Sequence, residues 1–358
     1  MTSVSLSIPG KVMLAGEYSV LKGGHSLAVC LDKHLRITAT LDQSLNHWVV
    51  KSNLWENEKI VRDQKINMLC PLTRAVQFAS RNFALPGGTL TVDSDLNIQD
   101  GIGSSSAIRL GVCAAMEVLK HGRDLSLTQN IGRNVLEMAW TLQHEAQGQA
   151  SGYDLVTQYL GGLVEFYADQ TNDHWHPHWF RLPVDGLADF VHVFVGGAGT
   201  PTTSALQTTS QWLDNGNRSD KLSDISEAMV DAFVRQIRFP TVVSQRQLFA
   251  TIADHRTFFM SSPLFPSEIS SELAQCQGHD IVWSWKTTGA GGEDAILILG
   301  SLENAKPGIK LLLSRGWRRL DAKFSENGIR LTSTTDVPQQ TPLKQKTFAN
   351  TTKGASPT

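Results

Sequence analysis

The sequence predicts an α+β protein of two mixed domains, and three observations carry that prediction. At 358 residues the chain exceeds what a single hydrophobic core serves, so two domains are the default. Apolar residues recur with the two-residue period of strands and the longer period of helices in both halves, which indicates a mixture of the two rather than a parallel doubly wound sheet. No Gly-x-Gly-x-x-Gly follows a strand with an acidic residue about twenty positions on, which argues against dinucleotide binding. The Walker A pattern is missing too, since Gly10-Lys11 has no glycine five residues upstream and no Ser or Thr after it.

Taken along the chain, Val4, Leu6 and Ile8 alternate, as do Leu35, Ile37, Ala39 and Leu41, which predicts two half-buried strands. A helix is expected from Leu69 to Phe83, with Leu69, Leu72, Val76, Ala79 and Phe83 on one side. Pro86-Gly87-Gly88 ends that segment, and Leu90 and Val92 start another strand. The small-residue loop Gly101-Ile102-Gly103-Ser104-Ser105-Ser106-Ala107 then opens into a helix with Ile108, Val112, Ala115 and Leu119 on one face. Ser126 with Gln129 resembles a capping box for a helix carrying Ile131, Val135, Met138 and Leu142. That helix runs to Gly148 and delivers the chain to Ser151-Gly152-Tyr153-Asp154. The domain boundary is placed near Arg181 to Asp189, giving domains over 1–183 and 184–335. In the second, strands around Val191–Val195, Ile296–Leu299 and Gly328–Leu331 bracket helical stretches such as Leu222–Arg238. From 336 to 358 the chain is rich in Thr, Gln, Pro and Lys and reads as a disordered tail.

A net charge of −2 gives no reason to expect nucleic acid or an acidic membrane as partner, so any anion site must be local. No apolar run reaches the length of a membrane span. Met1 to Ile8 lacks the basic start and long apolar core of a signal peptide. The four cysteines are far apart with no Cys-x-x-Cys pairing, which fits reduced thiols in a cytoplasmic protein. A small-molecule substrate and a monomer or homodimer are expected. His174, His176 and His178 would share one face of an extended segment, but no acidic or Cys ligand accompanies them and Pro177 disfavours a central strand; a loop or edge rich in surface histidine is the reading.

Three motifs carry chemistry. In the Gly101–Ala107 loop, glycine lets the backbone come close, serine hydroxyls add donors, and the first helical turn presents N–H groups without intrahelical partners at the positive end of the macrodipole. Such a mouth suits a nucleotide's phosphates; on its own it is also what an ordinary serine cap looks like. The second motif, Pro9-Gly10-Lys11-Val12-Met13-Leu14-Ala15-Gly16-Glu17-Tyr18, breaks strand one and presents a lysine. The third, Lys286-Thr287-Thr288-Gly289-Ala290-Gly291-Gly292-Glu293-Asp294, has glycines that permit close backbone approach or positive φ.

In this order and at this separation, the three motifs resemble the three signatures of the GHMP small-molecule kinases, over roughly Leu6 to Leu331. The resemblance implies the GHMP kinase fold, two mixed domains with ATP and acceptor in the cleft between them, and Mg²⁺ alongside ATP. It implies that Gly101, Gly103, Ser104, Ser105, Ser106 and Ala107 hold the ATP phosphates, with Ser105 touching the metal. Asp154 matches the catalytic aspartate and Lys11 its lysine partner. Glu17, Tyr18, Lys22, His25, Ser151, Gly152, Lys286, Thr288, Gly289 and Gly291 fall where acceptor contacts are expected, Lys22 and His25 as a grip on a second phosphate. The metal-binding glutamate that mevalonate-phosphorylating members carry eleven residues before the aspartate is Gln143 here; Glu145 is the nearest carboxylate and either takes that role or faces solvent. Ala15-Gly16-Glu17-Tyr18 and Gln147-Gly148…Ser151-Gly152-Tyr153-Asp154 look most like the members acting on phosphomevalonate; those acting on mevalonate usually carry histidine at the place of Tyr18. Mevalonate as acceptor, a non-catalytic ligand sensor, and a decarboxylase of diphosphomevalonate are the rival readings. Ile102 in place of leucine, the missing proline before the loop, and Glu293 in place of a glycine depart from the family pattern.

Overall fold

The computed structural model describes residues 2–55, 57–61, 70–122, 129–171, 174–196, 202–278, 281–289 and 295–335. Its framework is a long antiparallel pair, β1 (Thr2–Ala15) and β2 (Ser26–Leu41), in register from Thr2 opposite Leu41 to Ala15 opposite Leu27. The alternating Val4, Leu6 and Ile8 all lie in the core, as the two-residue period requires. β3 (Trp48–Ser52) and β4 (Lys59–Val61) follow, then α1 (Pro71–Asn82) and β5 (Gly88–Ser94). α1 begins two residues later than expected, because Pro71 suits the first helical position, where no N–H is needed; Leu69 lies outside the described residues.

α2 (Ser104–His121), α3 (Gln129–Gln147) and α4 (Tyr153–Leu160) come next. α2 is buried from Ser104 to Leu119 on every side except at Ser105. It approaches the sheet at Gly111, where a β-carbon would lie 2.7 Å from the Cδ1 atoms of both Ile8 and Ile37. The capping serine expected for α3, Ser126, lies outside the described residues. β6 (Leu163–Thr171) and β7 (His174–Leu182) complete the first sheet's chain-continuous part. β7 pairs with β6 alone, so Pro177 sits on an edge strand, where a missing N–H is tolerated.

The remaining chain supplies β8 (Val191–Val195), α5 (Thr202–Leu213), α6 (Arg218–Arg238), α7 (Val242–Phe259), α8 (Ser267–Gln277), β9 (Ser284–Thr288), β10 (Ala295–Leu299), α9 (Lys306–Ser314), β11 (Arg318–Arg319) and β12 (Arg330–Thr335). The first sheet runs β12-β1-β2-β5-β3-β4, with β6 and β7 branching from the other end of β2; the second runs β11-β8-β10-β9 and is antiparallel. The mixed α+β class holds. The last strand, expected among the elements of the second domain, instead returns to pair with β1. The largest cluster of buried side chains runs from Val4 and Leu6 on β1 to Val193 on β8, Phe233 on α6 and Leu248 on α7, so the two halves share a core. The expected tail, 336–358, lies outside the described residues. Among the described residues no helix is long and apolar enough to cross a membrane.

Candidate active site

The loop before α2 is shaped by two glycines in the left-handed region, Gly101 (φ 66°) and Gly103 (φ 86°). It is fastened to β1, for the Lys11 N–H donates to Ile102 O (2.8 Å), and Gln158 Nε2 bridges Pro9 O (2.8 Å) and Gly103 O (3.0 Å). Lys11 Nζ donates to Gly101 O at 3.3 Å and lies 5.4 Å above the Tyr153 ring. Ser106 Oγ and the Ala107 N–H both donate to Gly103 O at 3.0 Å. Ala107 is therefore corrected: its N–H is already used within the helix and its side chain is buried, so it offers nothing to a phosphate. Ser104, Ser105 and Ser106 line the cleft, and Ser104 Oγ is buried there without a hydrogen-bond partner.

Opposite this mouth stands Asp154, in the first turn of α4. The turn before it needs Gly152 at φ 83°, since a β-carbon would meet Trp175 Cζ2 at 2.6 Å and Trp140 Cδ1 at 3.0 Å. Those indoles stack with centroids 5.6 Å apart and anchor the segment, Trp175 Nε1 to Ser151 O (2.8 Å) and Trp140 Nε1 to Ala150 O (2.9 Å). Trp175 belongs to the His/Trp segment, whose tryptophans had no site role in the sequence. The Asp154 carboxylate accepts from Gln143 Nε2 at both oxygens (3.3 and 3.1 Å) and from the Leu155 N–H (3.0 Å).

Arg109 was not anticipated. It lies one turn beyond Ser105 on α2, is buried, lines the cleft, and donates from Nη1 to Ser105 Oγ. Burial lowers its pKa, the negative Asp154 opposes that shift, and the positive Arg74 adds to it. Burial also raises the pKa of Tyr153, partly countered by Lys11. The cleft these groups line holds about 460 Å³, in the range of small-ligand sites.

Of the residues expected to contact an acceptor, Glu17, Tyr18, Ser151 and Gly289 line the same cleft, and Thr288 lines a smaller recess beside it. The Lys286 ammonium, wholly buried, is paired with the Glu17 carboxylate, and Thr288 Oγ1 donates to Met13 O. Burial lowers the Lys286 pKa and Glu17 pulls it back up. These two side chains join β9 to the end of β1 and are engaged within the protein. His255 of α7 completes the cluster, its Nε2 at 3.7 Å from Glu17 Oε2. Gly152 serves the turn rather than the cleft wall, and Gly291 lies outside the described residues, as do Glu293 and Asp294.

Three expected contacts are not brought in. Lys22 is half exposed and faces Asp214 at 3.9 Å. His25 stacks on Tyr167 and bonds Glu165 (2.9 Å), so neither basic group reaches the cleft to meet a second phosphate. Glu145, expected as a metal ligand, instead pairs with Arg74 at 2.8 Å with its side chain 48% exposed, because two helical positions, about 200° of rotation, separate it from the inward-facing Gln143. Ser105, the other expected ligand, accepts from a guanidinium. Among the described residues no group of three or more His, Cys, Asp or Glu side chains could hold a metal ion. Both side chains expected to hold a divalent ion are thus engaged by arginines, Glu145 by Arg74 and Ser105 by Arg109.

Residues 71–162 match the family described as GHMP kinases N terminal domain, a stretch that contains the 101–107 loop, α2 and Asp154. The match places a GHMP kinase N-terminal domain at residues 71–162, and the fold of the chain is one that solved GHMP kinases share. A mevalonate kinase of Archaeoglobus fulgidus is 25% identical over 303 residues, covering 84% of this chain and 93% of its own. A phosphomevalonate kinase of a Streptomyces species is 28% identical over 186 residues, 45% of this chain and 48% of its own. Among solved structures, Streptococcus pneumoniae phosphomevalonate kinase in complex with phosphomevalonate and AMPPNP superposes with a TM-score of 0.71 at 14% identity, over 90% of this chain and 99% of that one.

Proposed function

We propose that the protein is an ATP-dependent phosphotransferase acting on a small isoprenoid-pathway acceptor, converting phosphomevalonate to diphosphomevalonate. The observation that carries the reading is the convergence of Lys11, Asp154 and the open first turn of α2 on one cleft, from segments far apart in sequence. The first-turn N–H groups and the Ser104 hydroxyl hold the nucleotide's phosphates. Lys11 neutralises charge on the migrating phosphoryl group. Catalysis by positioning and charge asks little covalent work of the protein.

The surroundings of Asp154 favour a phosphate over a hydroxyl as nucleophile. Its oxygens accept from Gln143 and from a backbone N–H, an arrangement that fixes the carboxylate in place more than it opens it to an incoming proton. A hydroxyl must lose a proton during attack, whereas a phosphate monoester, with a second pKa near ~6, is already mostly dianionic at neutral pH. Mevalonate is the second reading, favoured by the Archaeoglobus relative that covers most of the chain.

An ADP-release assay with mevalonate, phosphomevalonate and diphosphomevalonate in parallel tests the assignment, and turnover is expected with phosphomevalonate. Asp154→Asn should then cost about tenfold in kcat, against the ~10²–10⁴-fold expected where a carboxylate is the general base. Turnover with mevalonate alone, abolished by D154N, would replace the first reading by the second.

A further inference from the structure

We propose that the Arg109 guanidinium is a built-in cation of the phosphate mouth, contacting the nucleotide's phosphates in the place where a kinase of this shape would otherwise ligate a divalent ion. This rests on the reading of the cleft as a nucleotide site. Four observations carry it.

Arg109 is 6% exposed, yet it opens onto the cleft and its Nη1 already occupies the Ser105 hydroxyl. A buried guanidinium is costly unless it is compensated, and here the negative Asp154 offsets part of that cost through its charge, while the bond to Ser105 fixes the fork at the loop. No second carboxylate stands beside Asp154 to share a metal: Gln143 turns its amide nitrogen to Asp154, and Glu145 is paired with Arg74, whose positive charge still presses on Arg109. The charges lining the cleft do not cancel. Glu17 is neutralised by Lys286, leaving Lys11 and Arg109 against Asp154, an excess of positive charge suited to a polyanion and hostile to a bare divalent cation. Finally, Ser104 Oγ and Gln143 Oε1 are buried, line the cleft and have no partner among the described residues, which marks the spot as built for a ligand. The planar fork of arginine suits paired phosphate oxygens in a way that a lysine does not.

Calorimetric titration with ADP, in Mg²⁺ and in EDTA, tests this on the whole protein. Wild type is expected to bind ADP in EDTA within about tenfold of its affinity in Mg²⁺. Arg109→Gln is expected to lose about ten- to a hundredfold in EDTA, the scale of one lost charge-assisted contact, and less in Mg²⁺. Arg109→Lys should recover part of the loss. A residue that only props the helix would not make affinity depend on metal in this way. Mn²⁺ added without nucleotide should show no bound signal by electron paramagnetic resonance. Wild type that binds ADP only with Mg²⁺, a Mn²⁺ ion held without nucleotide, or an R109Q protein unchanged in EDTA would each overturn the proposal while leaving the kinase reading intact. No ADP binding in either buffer would overturn both. The wild-type comparison decides even if R109Q does not fold, which circular dichroism reports.

Discussion

A β-carbon placed on Gly103 would lie 2.9 Å from Lys11 Cγ and 3.0 Å from both Lys11 Cε and Gln158 Nε2, at a φ of 86° that L side chains rarely adopt. The lysine can be laid along the loop only because that position is bare. Gly103→Ala is therefore expected to do two things at once. It should cost about 1–3 kcal/mol of stability through the strained backbone, seen as a lower denaturation midpoint. It should also reduce kcat/KM at least about tenfold, since sub-ångström to ångström displacement of a positioned group costs that much or more; an unchanged kcat/KM would show that Lys11 needs no such placement. At this scale the glycine loop, Lys11 and Asp154 were legible, because residue types with few other uses recur in a fixed order. Arg109 was not, since the helix was read from its apolar face. The signal was present all the same: a lone arginine four residues after the last loop serine but one, inside a helix of small and apolar residues. Lys22 and His25 misled for the opposite reason, as proximity in sequence to Glu17 says nothing about which way a 3₁₀ turn carries the chain.

Strands β1 and β9 meet through Thr288 on Met13 O and through the buried Lys286–Glu17 pair, whose members lie 269 residues apart. Burial of both charges means neither can be removed alone without stranding the other. Glu17→Gln is expected to destabilise the protein by about 3–5 kcal/mol, and Lys286→Met by a similar amount, while the double variant should lose clearly less than the sum. Equilibrium urea unfolding of the four proteins measures that coupling, and strict additivity would disprove it. The elements themselves were largely legible. Alternation marked β1, β2 and β5, and the helical period marked α1, α2 and α6, because each has one face set by the core. Their partners were not legible. The return of β12 to β1 and the pairing of Lys286 depend on contacts across nearly the whole chain, which local periodicity does not encode. Glu145 shows the same limit within one helix. Two positions, about 200° round the helix, separate it from Gln143, which meets Asp154, and only the helix's docking against α2 and α4 decides which residue points inward.

Over the whole molecule, the near-neutral charge conceals ionisable groups held in the uncharged state by burial. Burial lowers the pKa of His34, His192 and His255 below 6.5, and for His255 the nearby Lys286 and Arg256 lower it further, so that it falls well below that value. The charges facing His255 come from three elements: its neighbour Arg256 on α7, Lys286 on β9, and Glu17 beyond β1, whose Oε2 would form an ion pair only with a protonated ring. Below about pH 6.5 the unfolded chain takes up protons on these imidazoles that the folded chain refuses, so more protons bind to the unfolded state and stability must fall as pH falls. Above pH 6.5 both states are neutral at these positions and the effect vanishes. Each such histidine contributes a slope of at most about 1.4 kcal/mol per pH unit. Thermal melting at pH 7.5 and pH 5.5 should therefore show a lower midpoint at the acid value. His255→Gln, an uncharged replacement of similar reach, should narrow the gap between the two midpoints even if it lowers both. An equal gap in wild type and H255Q would show that the cluster lining the smaller recess accommodates a proton, and that the Glu17 carboxylate, rather than Lys286 and Arg256, governs the charge of that imidazole.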